Sequence, residues 1–297
     1  MRGDRRRTGR GGESVVRRLR FVLCADDYGM TEGVSRGVLE AAVAGRISAA
    51  SAMTSLPDWP RAAAAWRSAA PPADLGLHVN LTVGAPLGAA PALAPGGVFA
   101  PLPRLLARAA ARPPLAEIEA EIGRQIDAFV AAFGAPPSHI DGHQHVHGLP
   151  GVRAALFAAL AARGVTGVNV RACGDRTARI VQRRAMAFKA AQVGGLTAGF
   201  GRAARRAGLA TNDGFAGFSH FAAGQYAGLF PTYLRAPGPR HLVMCHPGYV
   251  DAALTRLDPV THTREEELRF LLSSAFTAAL TERNAVLVRH RVWLNPP

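Results

Sequence analysis

The sequence predicts an α/β fold: a distorted (β/α) barrel of the TIM type, with an inserted Pro/Gly-rich segment after its third strand. Three observations carry this. Short, nearly continuous apolar runs, as in strands buried on both faces, alternate seven or eight times with helical stretches. Several of these runs end in Asp or His, which is where a parallel barrel gathers its chemistry. No GxGxxG follows the first run, which weakens the runner-up, a doubly wound open sheet.

In chain order, residues 1–18 read as a flexible, Arg/Gly-rich basic arm, and 19–297 as one barrel domain. Leu19 to Ala25 is the first strand, ending in Asp26-Asp27-Tyr28-Gly29. Thr31 is placed to cap a helix running to about Ala44, with Glu32 near its positive end and Gly45 to close it. Ile47 to Thr54 is a strand, Pro57 to Ala69 a helix, and Leu75 to Leu81 a third strand containing His78. Thr82 to Pro114 breaks the rhythm with prolines and glycines around a short helix near Leu102 to Ala111; so long an irregular segment suggests a lid or rim. Leu115 to Phe133 is an amphipathic helix, stopped by Gly134-Ala135-Pro136-Pro137. The strand after it runs through His139-Ile140-Asp141-Gly142-His143-Gln144-His145-Val146-His147, whose alternate residues would begin on one face. Pro150 to Arg163 is a helix and Val165 to Arg171 a strand. Beyond them Arg176 to Gln192 reads as helical, Gly194 to Gly217 as irregular, and Ala222 to Leu234 as helical again. His241 to Cys245 is a strand leading into His246-Pro247-Gly248-Tyr249; Thr263 to Arg283 is a helix and Ala285 to Arg289 the last strand.

The 297 residues carry a formal charge of +14, almost wholly from Arg, since Lys189 is the only lysine. Eight arginines fall between Met1 and Arg20 against Asp4 and Glu13, and a second basic stretch runs from Arg171 to Arg206. Nucleic acid is the sharp reading of such runs. A disordered tail and a solvated helix face is the preferred one, because aromatics that would stack bases are not interleaved. Arg17 to Leu23 resembles a twin-arginine signal faintly, but the apolar run stops at Ala25. No apolar run is long enough to span a membrane. Three separated cysteines give no disulfide framework and fit a reducing cytoplasm, with Cys24 and Cys245 as buried thiols. Oligomeric state stays open, with a homo-oligomer allowed.

Asp26-Asp27, His78, His143 and His246 each fall at or just past the C-terminal end of a predicted strand. In a barrel, four separate segments would then deliver imidazole and carboxylate to one rim. Two His and one Asp around a divalent metal leave positions for water and substrate. A second Asp beside the first can stay off the metal as general base, and a histidine opposite can protonate a leaving amine. The same ligand set serves non-haem iron oxygenases, which usually adopt an antiparallel fold. A non-catalytic sugar- or metal-binding barrel is the alternative from another class.

The motifs Ala25-Asp26-Asp27-Tyr28-Gly29, Gly76-Leu77-His78-Val79-Asn80-Leu81-Thr82, His139 to His147 and Met244-Cys245-His246-Pro247-Gly248-Tyr249 stand in the order and spacing of the YdjC-like carbohydrate deacetylases, which include the chitooligosaccharide deacetylases. The resemblance covers about Leu19 to Leu287, and Arg264-Glu265-Glu266-Glu267-Leu268 is similar to the family's closing helix. It implies a distorted (β/α) barrel, one divalent metal (Mg2+ or Zn2+), and hydrolysis of an N-acetyl group from an amino sugar or oligosaccharide. By position it implies Asp27, His78 and His143 as metal ligands, Asp26 as base, and His246 as acid or oxyanion partner. Asp141, His145 and His147 become substrate-facing or supporting residues, and Arg171 a substrate contact. Two departures stand out: Arg240-His241 replaces a frequent Glu, and 172–217 matches poorly.

Overall fold

The computed structural model describes residues 18–111 and 113–294; the predicted basic arm lies almost entirely outside them. Among the described residues, nine strands form one sheet in which every pairing is parallel. They are β1 (Leu19–Tyr28), β2 (Ala49–Ala52), β3 (Asp74–Val79), β4 (His139–Gly142), β5 (Asn169–Val170), β6 (Ala210–Thr211), β7 (Gly214–Ala216), β8 (His241–Cys245) and β9 (Ala285–Leu287). Their order is β6-β5-β4-β3-β2-β1-β8-β7, and β9 pairs with the start of β1. This is the curled, barrel-like parallel sheet that the alternation predicts. Its seam lies between β6 and β7, consecutive in sequence yet at opposite ends of the order, with no ladder between them among the described residues. Asn212 bridges that seam: its side chain accepts from Ala172 N (2.8 Å) and donates to Ala172 O (2.9 Å) and Gly214 O (3.1 Å).

The helices form where the sequence places caps and apolar stripes. Glu32–Val43 is capped by Thr31, whose hydroxyl accepts from Val34 N at 3.3 Å. Leu115–Phe133 buries Ile118, Ile122, Ile126 and Phe129 and stops at Gly134 in the left-handed conformation. The core between sheet and helices is rich in small side chains, including Ala25, Ala41, Ala42, Ala50, Ala52, Ala62 and Ala63.

Four expectations change. Arg176 to Gln192 is two helices, Thr177–Arg183 and Ala187–Leu196, because Arg184 (φ 54°) and Met186 (φ 53°) turn the chain left-handed between them. The stretch read as irregular contains Phe200–Arg206, β6 and β7; strands of two and three residues leave almost no periodic signal. The closing helix is broken at Ser273, whose backbone N (3.0 Å) and hydroxyl (2.7 Å) both donate to Phe270 O and end its first half. Finally, part of the basic stretch is not a solvated face. Arg183 is buried, pairing with Asp175 at 2.5 Å and donating to Phe215 O and Arg235 O, while Arg179 donates to Asp213 O.

Gly37 ties the first helix to the loop after β8. A Cβ there would lie 2.7 Å from Gly248 Cα and 3.1 Å from Leu268 Cδ2. Gly→Ala inside a helix ordinarily stabilises by about 0.5–1 kcal/mol. Gly37→Ala should instead destabilise by about 1–3 kcal/mol, through overpacking against backbone. Denaturant melts decide it; a stabilised variant would refute this packing.

Candidate active site

Parallel pairing puts the C-terminal ends of the strands on one rim, and six of the nine predicted site residues line a cavity of about 390 Å3 there: Asp26, Asp27, His78, His143, His145 and His246. Asp26 and Asp27 are neighbours on β1, and neighbours on a strand point to opposite faces. Here both reach the cavity because Asp27 has φ 69° and the β1–β2 register slips, Ala25 pairing with Ala50 but Tyr28 with Ala52. One extra residue on β1, a bulge, re-aims the second carboxylate. Asp is among the residues that best tolerate this conformation.

The histidine run departs from strand geometry. β4 ends at Gly142, and His143–Gly148 is a tight turn in which Gln144 (φ 51°) and His145 (φ 62°) are left-handed. The expected one-face alternation therefore stops after Asp141. His145 packs edge-on against Phe215 and Phe218. His147 turns inward, its Nε2 donating to Arg171 O at 2.8 Å, with Phe200 against its ring. Asp141, His147 and Arg171 stand behind the cavity wall and do not line it.

Asp27, His78 and His143 are drawn together. Asp27 Oδ1 lies 3.2 Å from His78 Nε2 and 2.9 Å from His143 Nδ1, and its other oxygen accepts from Arg264 Nη2 at 2.8 Å. One ligand atom from each of the three lies within 4.8 Å of the others, a grouping able to hold a metal ion. Asp141 Oδ1 stands 2.7 Å from His78 Nδ1, the carboxylate support that orients many metal-binding imidazoles. His143 Nε2 is buried without a hydrogen-bond partner. Asp26 stands apart from this trio. Both its oxygens accept from Arg171, at 2.6 Å each, and Arg171 also pairs with Asp141. His246 Nε2 is 3.9 Å from Asp26 Oδ2.

The electrostatics fit a cation. Three buried carboxylates, Asp26, Asp27 and Asp141, face two buried guanidiniums, Arg171 and Arg264. Burial alone would lower the pKa of His78, but Asp141 and Asp27 outweigh it and push it up to about 10. Burial would likewise raise Asp27, yet Arg264 and His143 hold it well below the carboxylate range; Arg171 and His78 do the same for Asp141. The site thus draws a proton onto His78 to balance its charge, and a divalent cation at the same place would supply that balance instead. Away from the trio, burial brings His246 down to about 4 against the pull of Asp26 and Asp27.

Sequence reasoning missed several residues here. Arg264 was visible only as the first residue of an acidic helix start. Asp258, 3.4 Å from Arg264 and 4.0 Å from His143, lies in a loop with no motif. The acids after Arg264 do more than favour the helix dipole. Glu265 accepts from Val250 N, Glu266 from Gly224 N and Tyr226 N, and Glu267 from His246 N at 2.6 Å. Lys189, the sole lysine, lines the cavity with its ammonium donating to Ser219 O at 2.9 Å and lying 4.8 Å from the Phe221 ring centre. The Pro/Gly-rich insertion adds Leu102 and Leu106 to the wall.

The model of the YdjC-like protein family matches residues 20–282. The chain belongs to the YdjC-like family. Among its relatives, a carbohydrate deacetylase of Homo sapiens is 33% identical over 251 residues, covering 78% of this chain and 76% of the human protein. A chitooligosaccharide deacetylase of Serratia marcescens is 32% identical over 273 residues, covering 90% of this chain and 96% of its own. A solved Enterococcus faecalis structure, named for cellobiose-phosphate cleavage, shares the fold with a TM-score of 0.71 at 22% identity, over 93% of this chain and 98% of that one. No helix among the described residues is long and apolar enough to cross a membrane.

Glu267 gives a test of the buried electrostatics. Burial raises its pKa from 4.5 to about 8, against the pull of His246 N–H and Arg264. A folded value above the unfolded one means that its stabilising contribution is full below about 4.5 and is lost as pH rises through about 8. The melting temperature of the metal-free protein should therefore fall more between about pH 5 and about pH 9 than that of Glu267→Gln. Parallel profiles for the two proteins would contradict it.

Proposed function

We propose that this protein is a metal-dependent carbohydrate N-deacetylase, hydrolysing the acetamide of an N-acetylated amino sugar or chitooligosaccharide-type substrate. The observation that carries the reading is the division between Asp27, grouped with His78 and His143, and Asp26, held off that group by Arg171. The activity named for the human and Serratia relatives supplies the substrate class.

Asp27, His78 and His143 would hold the metal, Mg2+ or Zn2+. When bound, such an ion polarises a carbonyl and lowers the pKa of water. Asp26 is the general base. Its bidentate bond to Arg171 fixes the carboxylate's direction for taking a proton from the attacking water. His246 rests as a neutral imidazole, so the proton it delivers to the leaving amine is the one Asp26 has removed. Asp26 Oδ2 and His246 Nε2, 3.9 Å apart, need only a small approach for that transfer. Water's second proton goes to solvent with the acetate product. Asp141 does not touch substrate; it keeps the His78 ring oriented. Leu102, Leu106, Val193, Leu196 and Phe221 give the cavity apolar walls that limit water around the acetyl group.

Acetate release from N-acetylated chitooligosaccharides tests the assignment. Asp26→Asn should keep its metal and lose about 10²–10⁴-fold in kcat. His78→Ala and His143→Ala should lose the metal, as read by elemental analysis. Wild-type turnover by Asp26→Asn, or full metal content in either histidine variant, would sink the respective role.

A further inference from the structure

The proposed hydrolysis leaves most of the second basic stretch unused. Between Asp175 and Asp213 the chain carries seven arginines and Lys189, and no acidic residue. Arg179 and Arg183 bond inside the fold, and Lys189 lines the catalytic cavity. The other five, Arg176, Arg184, Arg202, Arg205 and Arg206, are exposed, and none of their side chains has a hydrogen-bond or ion-pair partner among the described residues. The two bracketing acids do not answer them, since Asp175 is paired with Arg183 and Asp213 with Arg240 at 2.8 Å. Clustered cations without counter-charge attract anions to that side of the molecule.

The helix within this stretch is built against water. Ala187–Leu196 has one charged residue, Lys189, and it faces the catalytic cavity together with Gln192, Val193 and Leu196. A helix that turns no charge to solvent is normally buried. This one buries only Ala190. Phe188 is 83% exposed, more than any other large apolar side chain described, and Leu196 is 43% exposed. Val181, 62% exposed, projects from the preceding helix Thr177–Arg183. Val181 and Phe188 border one open hollow of about 1060 Å3 with Arg176, Arg202 and Arg205, so apolar and cationic side chains share a face. Thr197 lines both this hollow and the catalytic cavity, and Ala187–Leu196 is the wall between them.

We propose that the face formed by residues 176–206 docks on the surface of an anionic lipid bilayer, with Phe188 and Val181 entering the boundary between headgroups and acyl chains and the five exposed arginines meeting lipid phosphates. Aromatic and aliphatic side chains flanked by arginine are the composition of an interfacial anchor, and here the neighbouring helices supply the charge that Ala187–Leu196 lacks. Anionic headgroups attract such clustered arginines. Nucleic acid would satisfy the arginines but leave Val181 and Phe188 in water, and Phe188 is the face's only exposed aromatic, so successive bases would find no stacking platform. A bilayer satisfies both halves of the face. The contact is with one surface and not a span, since the helix has 10 residues and a span needs about 20. Because Val193 and Leu196 of the same helix wall the catalytic cavity, docking sets the rim of that cavity against the lipid.

Co-sedimentation of the full-length protein with vesicles tests this, comparing phosphatidylcholine alone with phosphatidylcholine containing about 30% phosphatidylglycerol, at about 0.15 M salt. The readout needs no turnover, so it is independent of the deacetylase assignment. Wild type should bind the anionic vesicles at least about 10-fold more tightly than the neutral ones. Phe188→Ser, and separately Arg202→Glu with Arg205→Glu, should each weaken that binding about 10-fold; all three residues are exposed, so the variants should fold. The indole introduced by Phe188→Trp should be quenched by brominated lipid beyond any loss seen from Trp59, Trp66 and Trp293 in wild type. No binding to the anionic vesicles would overturn the proposal, as would an unquenched Phe188→Trp. Wild-type affinity in Phe188→Ser would also overturn it, because charge alone, from the basic arm or the arginines, would then hold the protein. Single-stranded nucleic acid bound as tightly as the anionic vesicles, and indifferent to Phe188→Ser, would assign the arginines to that polymer and overturn it as well.

Discussion

Arg171 holds two carboxylates from two different strands, Asp26 on β1 and Asp141 on β4, in a site where all three groups are buried. Burying any one of these charges alone would cost several kcal/mol, so none keeps its place without the others. Because Asp26 is tied to Arg171, it stays separate from Asp27. Because Asp141 is tied to Arg171 on one oxygen, its other oxygen is aimed at His78. The proposed base and the orientation of one proposed ligand therefore depend on a single guanidinium that does not reach the cavity. Arg264 does the matching work on the other side, neutralising Asp27 from the closing helix.

The backbone contributes as much as the charges. An ideal strand cannot present Asp26 and Asp27 to one cavity, and an ideal strand through 139–147 would carry histidines onto a single face. Both problems are solved by left-handed residues. Asp27 turns its carboxylate toward the trio, and Gln144 with His145 folds the histidine run back on itself. Non-glycine residues in this region cost about 1–3 kcal/mol each unless the surroundings hold them. Here the Asp27 bonds to His78, His143 and Arg264 do so.

These features set how far the sequence could be read. β1, β3 and β8 announced themselves by apolar runs ending at Asp or His and β4 by its alternating His and Asp, and Thr31 and Gly134 marked helix ends correctly. The meeting of Asp26-Asp27, His78, His143 and His246 at one rim followed from strand ends in a parallel barrel, whereas the trio of Asp27, His78 and His143 came from the family resemblance. β6 and β7 were illegible, being two and three residues long. So were the places of Asp258 and Arg264, since each acts through a contact between segments distant in sequence. The Arg-rich stretch misled because charge pattern alone cannot tell an exposed arginine from Arg171 or Arg183, whose partners lie across the fold.

The central claim is that one aspartate of the pair joins the metal while its neighbour stays off it. Anomalous diffraction at the zinc edge, from crystals grown with zinc, reads this directly. The account predicts a peak contacted by Asp27, His78 and His143, with the Asp26 carboxylate still paired to Arg171. A peak contacted by Asp26, or none between Asp27 and the two histidines, would contradict it.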